Sequence, residues 1–200
     1  MKLISTLSVF FTLLASMPTS VFGAAIERNL NVVKRDSNPS QNCVEGEKYV
    51  GIYGINGVYS QACAVLAGNC FSAAEAGTTA LWSVKSCVAA QTCDPKTAFV
   101  AQCRNTAVAN ATDIPHLDYN IYAGIVGDCA WAEGGCPITQ QNYIDFIYGA
   151  LSDIGSTTWP SSAQDVITYW WTPMLDWTAT GTTIPYTNFD DWLHYDAVSD

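Results

Sequence analysis

Basic residues are scarce in this 200-residue chain, which has 8 Lys and Arg against 18 Asp and Glu. Only four basic side chains lie beyond residue 35, where seventeen acidic ones leave a formal net charge of −13. Proteins that bind nucleic acid or anionic membrane surfaces need clustered Lys and Arg. The composition therefore argues against both of these partners, and strong acidity is typical of proteins that stay soluble by mutual repulsion.

Catalytic motifs are also missing. The sequence has no Gly-x-Ser-x-Gly, no His-Glu-x-x-His, no phosphate-binding Gly-x-x-x-x-Gly-Lys and no dinucleotide fingerprint. Its only histidines, His116 and His194, are far apart in sequence and far from any cysteine pair, so we predict no metal site, no cofactor and no catalytic triad. Glycoside hydrolysis needs only two carboxylates, and Glu133 keeps that alternative open.

Long apolar runs are absent after the first residues of the chain. The run Leu3–Leu14 follows a lysine and precedes small residues, which predicts a secretory signal peptide over 1–23. It is too short to span a bilayer, and we expect no membrane insertion. A dibasic pair ending at Arg35 predicts a pro-segment over 24–35 and a single secreted domain over 36–200.

Cysteine, in contrast, is plentiful, and an even number in a secreted chain predicts four disulfides. The eight residues are Cys43, Cys63, Cys70, Cys87, Cys93, Cys103, Cys129 and Cys136. Only the pair Cys129–Cys136 is predicted, because a Gly-rich loop separates the two; the other pairings stay open. Asn110 opens the one glycosylation sequon beyond residue 35, which predicts an exposed, glycosylated loop.

Residue patterns in the first two thirds of the chain predict a short sheet and several helices. The segment 48–59 is rich in β-branched and aromatic residues around Asn56-Gly57, which predicts a β-hairpin. The segment 119–126 is predicted to be another strand. Ala-rich stretches predict helices over 60–67, 72–90 and 96–109.

Helical periodicity dominates after Cys136. Thr139 is the predicted N-cap of a helix that ends near Gly155, and Ser162 with Asp165 predicts the start of a second helix. That second helix is expected to kink at Pro173 and to end at Gly181, and a tail helix is expected to begin at Thr187 or Asn188. The predicted fold is an α/β or α+β single small disulfide-braced domain with a short β-sheet, several helices and a helical C-terminal third.

Aromatic residues provide the positive functional signal. Trp131 lies in the Gly-rich loop between two cysteines, with Asp128 and Glu133 beside it. An indole can stack on the apolar face of a sugar ring, and carboxylates and amides can bind its hydroxyls. We therefore predict a glycan-binding site with Tyr119, Asn120 and Tyr122 flanking the loop. The structural alternative is that Trp131 caps the core beneath the disulfide.

Other aromatic residues are expected to be structural. The helical stripes of the C-terminal third predict that these aromatics lie in the core: Trp170, Trp177, Tyr143 and Phe146. A weaker polar and aromatic cluster near the C-terminus is predicted to be a docked tail, and its members are Asp190, Asp191, Trp192 and His194.

The leader, the dibasic site at Arg35, the cysteine ladder from Cys43 to Cys136 and the tail 184–195 together resemble secreted, cysteine-rich, glycan-binding proteins of mushroom-forming fungi. The resemblance implies a disulfide-braced α/β domain that binds sugars on other cells and lacks catalysis.

Three functions are therefore open. The first is a secreted, non-catalytic, lectin-like protein of defence or cell-surface recognition that binds glycans without a metal. The second is a small secreted effector or toxin with a protein partner, and the third is a glycoside hydrolase. An exposed Trp131 beside polar groups would favour the lectin-like protein. An exposed apolar patch elsewhere would favour the effector or toxin, and a deep cleft with paired carboxylates would favour the hydrolase.

Overall fold

A computed structural model of the protein describes residues 39–53 and 58–195, and the predicted leader, the pro-segment and Arg35 lie outside that part. The helices are α1 (Pro39–Lys48), α2 (Gln61–Glu75), α3 (Lys85–Cys93), α4 (Thr97–Arg104), α5 (Tyr119–Val126), α6 (Gln140–Asp153), α7 (Ala163–Val166), α8 (Thr172–Thr178) and α9 (Tyr186–Leu193). The strands are β1 (Ile52–Tyr53), β2 (Val58–Tyr59), β3 (Ile138–Thr139) and β4 (Thr183–Ile184). None of the helices in these two ranges is both long and apolar enough to cross a membrane.

Four disulfides brace the domain, as predicted. The bridges are Cys43–Cys103, Cys63–Cys93, Cys70–Cys87 and Cys129–Cys136. Two of them join α2 to α3 in opposite order, which holds these helices antiparallel around a buried core. The pair Cys129–Cys136 was the one predicted from the sequence, and the structure confirms it.

The helix boundaries in the first half differ from the prediction. The stretches 60–67 and 72–90 were expected to be two helices, but α2 runs without a break through Gly68. The Ser60 side chain caps its start by accepting a hydrogen bond from the Cys63 amide. The helix ends before Gly77, whose φ of 104° is readily adopted only by glycine.

Two short antiparallel sheets complete the fold. The predicted hairpin arms are present as β1 and β2, which pair in the register Ile52↔Tyr59. The Asn56-Gly57 turn between them lies outside the described residues. The second sheet pairs β3 with β4 through two fully buried isoleucines, Ile138 and Ile184. This second sheet was not predicted, and it fixes the chain on both sides of the site described below.

The C-terminal third is helical, as expected, and its predicted caps are confirmed. Thr139 and Asn142 form a reciprocal capping box at the start of α6. Ser162 accepts a hydrogen bond from the Asp165 amide at the start of α7. The predicted C-terminal stop at Gly155 is also present, with φ of 65°.

The end of the second helix of this region was predicted less well. Instead of a kink at Pro173, a π-helical turn spans Ile167–Trp171, and the proline lies in the first turn of α8, where its missing N–H is tolerated. The helix ends at Thr178, ahead of the predicted Gly181. Trp177 was expected in the core but is 46% exposed. The other predicted core aromatics of this region are buried, namely Trp170, Tyr143 and Phe146.

Candidate functional site

The segment 119–126 is a helix, so the predicted strand is wrong. The Asp118 carboxylate accepts a hydrogen bond from the Asn120 amide and caps α5. The buried residues Tyr122, Ile125 and Val126 recur three and four positions apart, which is helical spacing. The β-branched and aromatic composition suggested a strand, but the cap and the spacing favour a helix.

Helix α5 places two tyrosines on one face. Tyr119 and Tyr122 are three residues apart, and their ring centroids lie 5.6 Å from each other. Tyr186, at the start of α9, packs against both rings at 5.2 and 5.0 Å. Sequence reasoning missed Tyr186, because the contact depends on how the tail docks. The three rings form the wall of a cleft.

The loop 129–136 lies at the edge of this cleft and is fixed at several points. Its two ends are joined by the Cys129–Cys136 bridge. The Tyr119 hydroxyl donates to the Ala130 carbonyl at 2.6 Å, and the Tyr122 hydroxyl donates to the Cys136 carbonyl. Since the disulfide and two phenolic hydrogen bonds hold it, the loop is tied rigidly to α5.

Trp131 projects from this loop. Its side chain is 63% exposed, and its ring packs edge-on against Tyr119 with centroids 4.8 Å apart. The alternative in which Trp131 caps the core is therefore wrong. Gly135, which has φ of 60°, turns the loop back towards the tyrosines; an added Cβ would lie 3.8 Å from the Tyr119 hydroxyl oxygen.

The cleft has a cavity of about 440 Å³. Its lining consists of Tyr119, Tyr122, Ala132, Gly134, Gly135, Cys136, Pro137, Thr183, Pro185 and Tyr186. Aromatic faces, the Thr183 hydroxyl and loop backbone thus surround it. The volume lies within the range of about 300–1,000 Å³ typical of small-molecule sites.

The predicted site residues are brought together only in part. Two of them, Tyr119 and Tyr122, line the cavity, and Trp131 stands beside it. Glu133, on the same loop, and Asp128, directly before it, are exposed but are not among the lining residues. Asn120 is also exposed and donates to Asp118, so it takes no part in the wall.

Burial raises the pKa of two of the cleft tyrosines. It raises the pKa of Tyr122 to about 12, with a further rise from the neighbouring Tyr119. Burial also raises the pKa of Tyr186, and the nearby Asp190 carboxylate raises it further. These phenols therefore remain neutral and keep donating to the backbone carbonyls that fix them.

A second group of polar side chains lies one turn further along α9. Asp190 and His194, one helical turn apart, face His116 from the loop that precedes α5. The two imidazole centroids are 5.5 Å apart. The two histidines, far apart in sequence, are therefore neighbours in the fold. The predicted docked tail is present, since Phe189, Asp190, Trp192 and Leu193 are all buried in α9.

Asn110, the predicted glycosylation site, is exposed and precedes a single 3-10 turn at Ala111–Asp113. Its side-chain oxygen accepts a hydrogen bond from Gln102 at 3.2 Å. The position is thus compatible with an attached glycan.

No family model, curated protein or solved structure matches this chain. Its function must therefore be inferred from its own residues and their geometry.

Proposed function

We propose that the protein is a secreted, non-catalytic, lectin-like protein that binds glycans of cell surfaces or glycoproteins in the cleft formed by Tyr119, Tyr122 and Tyr186. The observation that carries the proposal is the Trp131 indole, which is 63% exposed although it belongs to a loop fixed by a disulfide. Four disulfides support the secreted state, in which the protein would meet foreign or host glycans.

An exposed indole is suited to sugar recognition. The C–H faces of a pyranose are apolar and slightly positive, and the face of an aromatic ring is negative, so the two attract each other when stacked. The edge-on contact with Tyr119 supports the Trp131 ring from one side. The indole is therefore held in place and keeps exposed surface that a sugar can cover.

Rigidity should strengthen this binding. A mobile loop loses conformational freedom when it closes on a ligand, at a cost of about 0.5–1.5 kcal/mol for each immobilised flexible side chain. Here the loop is already fixed by Cys129–Cys136 and by hydrogen bonds from Tyr119 and Tyr122. Much of the conformational freedom of the loop is therefore already lost when the protein folds, before a ligand binds.

Polar groups beside the aromatic wall can bind sugar hydroxyls. Thr183 contributes a hydroxyl, and each phenol oxygen that donates to a backbone carbonyl keeps lone pairs that can accept a hydrogen bond. The exposed carboxylates of Asp128 and Glu133 can accept hydrogen bonds from the outer part of a longer glycan. Such a mixture of aromatic surface and a few polar groups is typical of small-molecule sites.

The cleft does not favour hydrolysis. Retaining and inverting glycosidases need two carboxyl groups on either side of the scissile bond. No aspartate or glutamate is among the residues that line the tyrosine cavity, within the described ranges 39–53 and 58–195. We therefore propose binding rather than cleavage.

Replacement of Trp131 by Ala tests the proposal. About two thirds of the side chain is exposed, so its removal should lower the free energy of unfolding by at most about 2 kcal/mol. Binding to a glycan array and calorimetric titration with the best array ligand should nevertheless be reduced at least about tenfold, a loss of about 1.4 kcal/mol.

Trp159→Ala is the matched control, because Trp159 is 45% exposed and stacks on Tyr148 away from the cleft. This variant should bind glycan like the wild type. If Trp131→Ala folds and binds normally, or if both variants lose binding equally, the assignment of the cleft is wrong. If the wild-type protein binds no glycan on the array, the proposed function itself fails.

A further inference from the structure

His116, Asp190 and His194 converge on one point at the surface. One ligand atom from each of the three lies within 4.8 Å of the others. His116 Nδ1 is 2.5 Å from Asp190 Oδ2, and His194 Nδ1 is 3.6 Å from Asp190 Oδ1. Two imidazoles and a carboxylate at this separation form a donor set that binds divalent transition metals.

Two of the three side chains are oriented by hydrogen bonds to the backbone. The Leu117 amide donates to Asp190 Oδ1 at 2.7 Å. His194 Nε2 lies 2.8 Å from the Ile114 carbonyl, to which it donates. Metal-binding histidines and carboxylates are usually oriented by outer contacts of this kind, often to the backbone.

His194 Nδ1 lies 2.7 Å from the Asp190 backbone carbonyl and 3.6 Å from Asp190 Oδ1. An ion shared by the three residues would replace the contact of this nitrogen with the carbonyl, and it would lie between the imidazole, the carboxylate and His116.

The two imidazoles, whose ring centroids are 5.5 Å apart, lie beside one carboxylate. One divalent ion would gather both imidazoles and the buried Asp190, which is 5% exposed. His116 can move to complete the geometry, because its side chain is 85% exposed.

We propose that His116, Asp190 and His194 bind a divalent transition-metal ion of the zinc class. Two nitrogen donors and one carboxylate oxygen would provide three ligands, and the remaining positions open onto a cavity of about 540 Å³ that Asp113 and Asp191 also line. The ion would cross-link the loop carrying His116 to α9, which is 74 residues away in sequence.

The site differs from the glycan cleft and does not depend on the proposed function. No metal site was predicted from the sequence, because the chain has no Cys-x-x-Cys pairs and no clusters of Cys and His. The four-residue spacing of Asp190 and His194 on one helix was a visible signal, since such residues share a face. The third ligand comes from a distant loop and could not be identified from spacing.

Isothermal titration of the chelator-treated, oxidised protein with ZnCl₂ tests the proposal. One zinc per chain should bind the wild type, and the melting temperature should rise with zinc concentration, because a ligand that binds only the folded state stabilises it. MgCl₂ at the same concentration should have no such effect, which separates a specific site from general attraction of cations by an acidic protein.

His116→Ala should weaken zinc binding at least about tenfold, by comparison with the loss caused by removing outer contacts of metal sites. Its melting temperature without zinc should change little, since the side chain is exposed. Asp113→Asn is the matched control, because Asp113 lines the same cavity outside the three-residue cluster. Absence of zinc binding by the wild type would overturn the proposal, as would unchanged affinity of His116→Ala or an equal loss in Asp113→Asn.

Discussion

Removal of the Cys129–Cys136 bridge should separate the contribution of this disulfide to stability from its contribution to binding. The two cysteines are only seven positions apart, whereas Cys43 and Cys103 are separated by 60. In the chain-entropy description of disulfides, a bridge stabilises more when it closes a longer loop. The expected losses in unfolding free energy are about 2.4 kcal/mol for the short bridge and about 4.3 kcal/mol for the long one.

These two bridges form a fair comparison, because their cysteines are exposed or half-buried rather than in the core. The double variants Cys129→Ala/Cys136→Ala and Cys43→Ala/Cys103→Ala should therefore show mainly the loss of the cross-link. For a domain of this size, the melting temperature should fall by about 5–10 °C and about 9–17 °C, respectively. Urea unfolding of both variants measures the free energies directly.

For glycan affinity, the short bridge should matter more than the long one. Without Cys129–Cys136, the loop carrying Trp131 must lose its freedom on binding, which weakens affinity about twofold to tenfold. The Cys43–Cys103 bridge joins α1 to α4 and has no part in the cleft, so its removal should leave affinity unchanged at temperatures where the variant is folded. Calorimetric titration at 10 °C, with folding checked by circular dichroism, would refute the reasoning if the short-bridge variant bound as well as the wild type.

Two further predictions concern stability. Burial raises the pKa of Asp94 above its ordinary value of 3.8, although Lys96 and two backbone amides oppose the rise. The folded state therefore gains stability as pH falls through the raised pKa, and the unfolding free energy of the wild type in urea should rise relative to that of Asp94→Asn on acidification. A difference between the two proteins that stayed constant from pH 7 to 4 would contradict this. Thr139→Ala should lower the unfolding free energy by about 1 kcal/mol, because it removes the capping box of α6. Thr172→Ala, at an exposed position in α8, is its control and should change stability by less than about 0.5 kcal/mol.

Local signals in the sequence predicted local structure well. Thr139 and Ser162 start helices as predicted, because a capping interaction involves residues only three positions apart. The pairing of Cys129 with Cys136 was also predictable, since a short loop brings the two together. In α5, composition and periodicity disagreed, and the periodicity of buried residues, supported by the Asp118 cap, indicated the correct structure.

Contacts between distant segments could not be predicted in the same way. Tyr186 reaches the rings of α5 only because β3 pairs with β4 and positions the start of α9. His116 meets Asp190 across 74 residues. Neither of these contacts produces a periodic pattern in the sequence. Of the residues predicted from the sequence, Tyr119 and Tyr122 therefore lie on one side of the cleft, and the side that the tail contributes was not predicted.

Leu117 connects the two candidate sites through its backbone. Its carbonyl accepts a hydrogen bond from the Tyr186 hydroxyl at 2.7 Å, and its amide donates to Asp190 at the same distance. Both partners belong to α9 and lie one helical turn apart. Leu117, in the facing loop, therefore holds this helix at two points. An ion bound at His116 and Asp190 would hold that loop and α9 together, and the same restraint would hold the Tyr186 ring in the cleft. Because binding at two sites that order one shared element is reciprocally coupled, the docked tail provides a physical route by which metal and glycan would strengthen each other's binding.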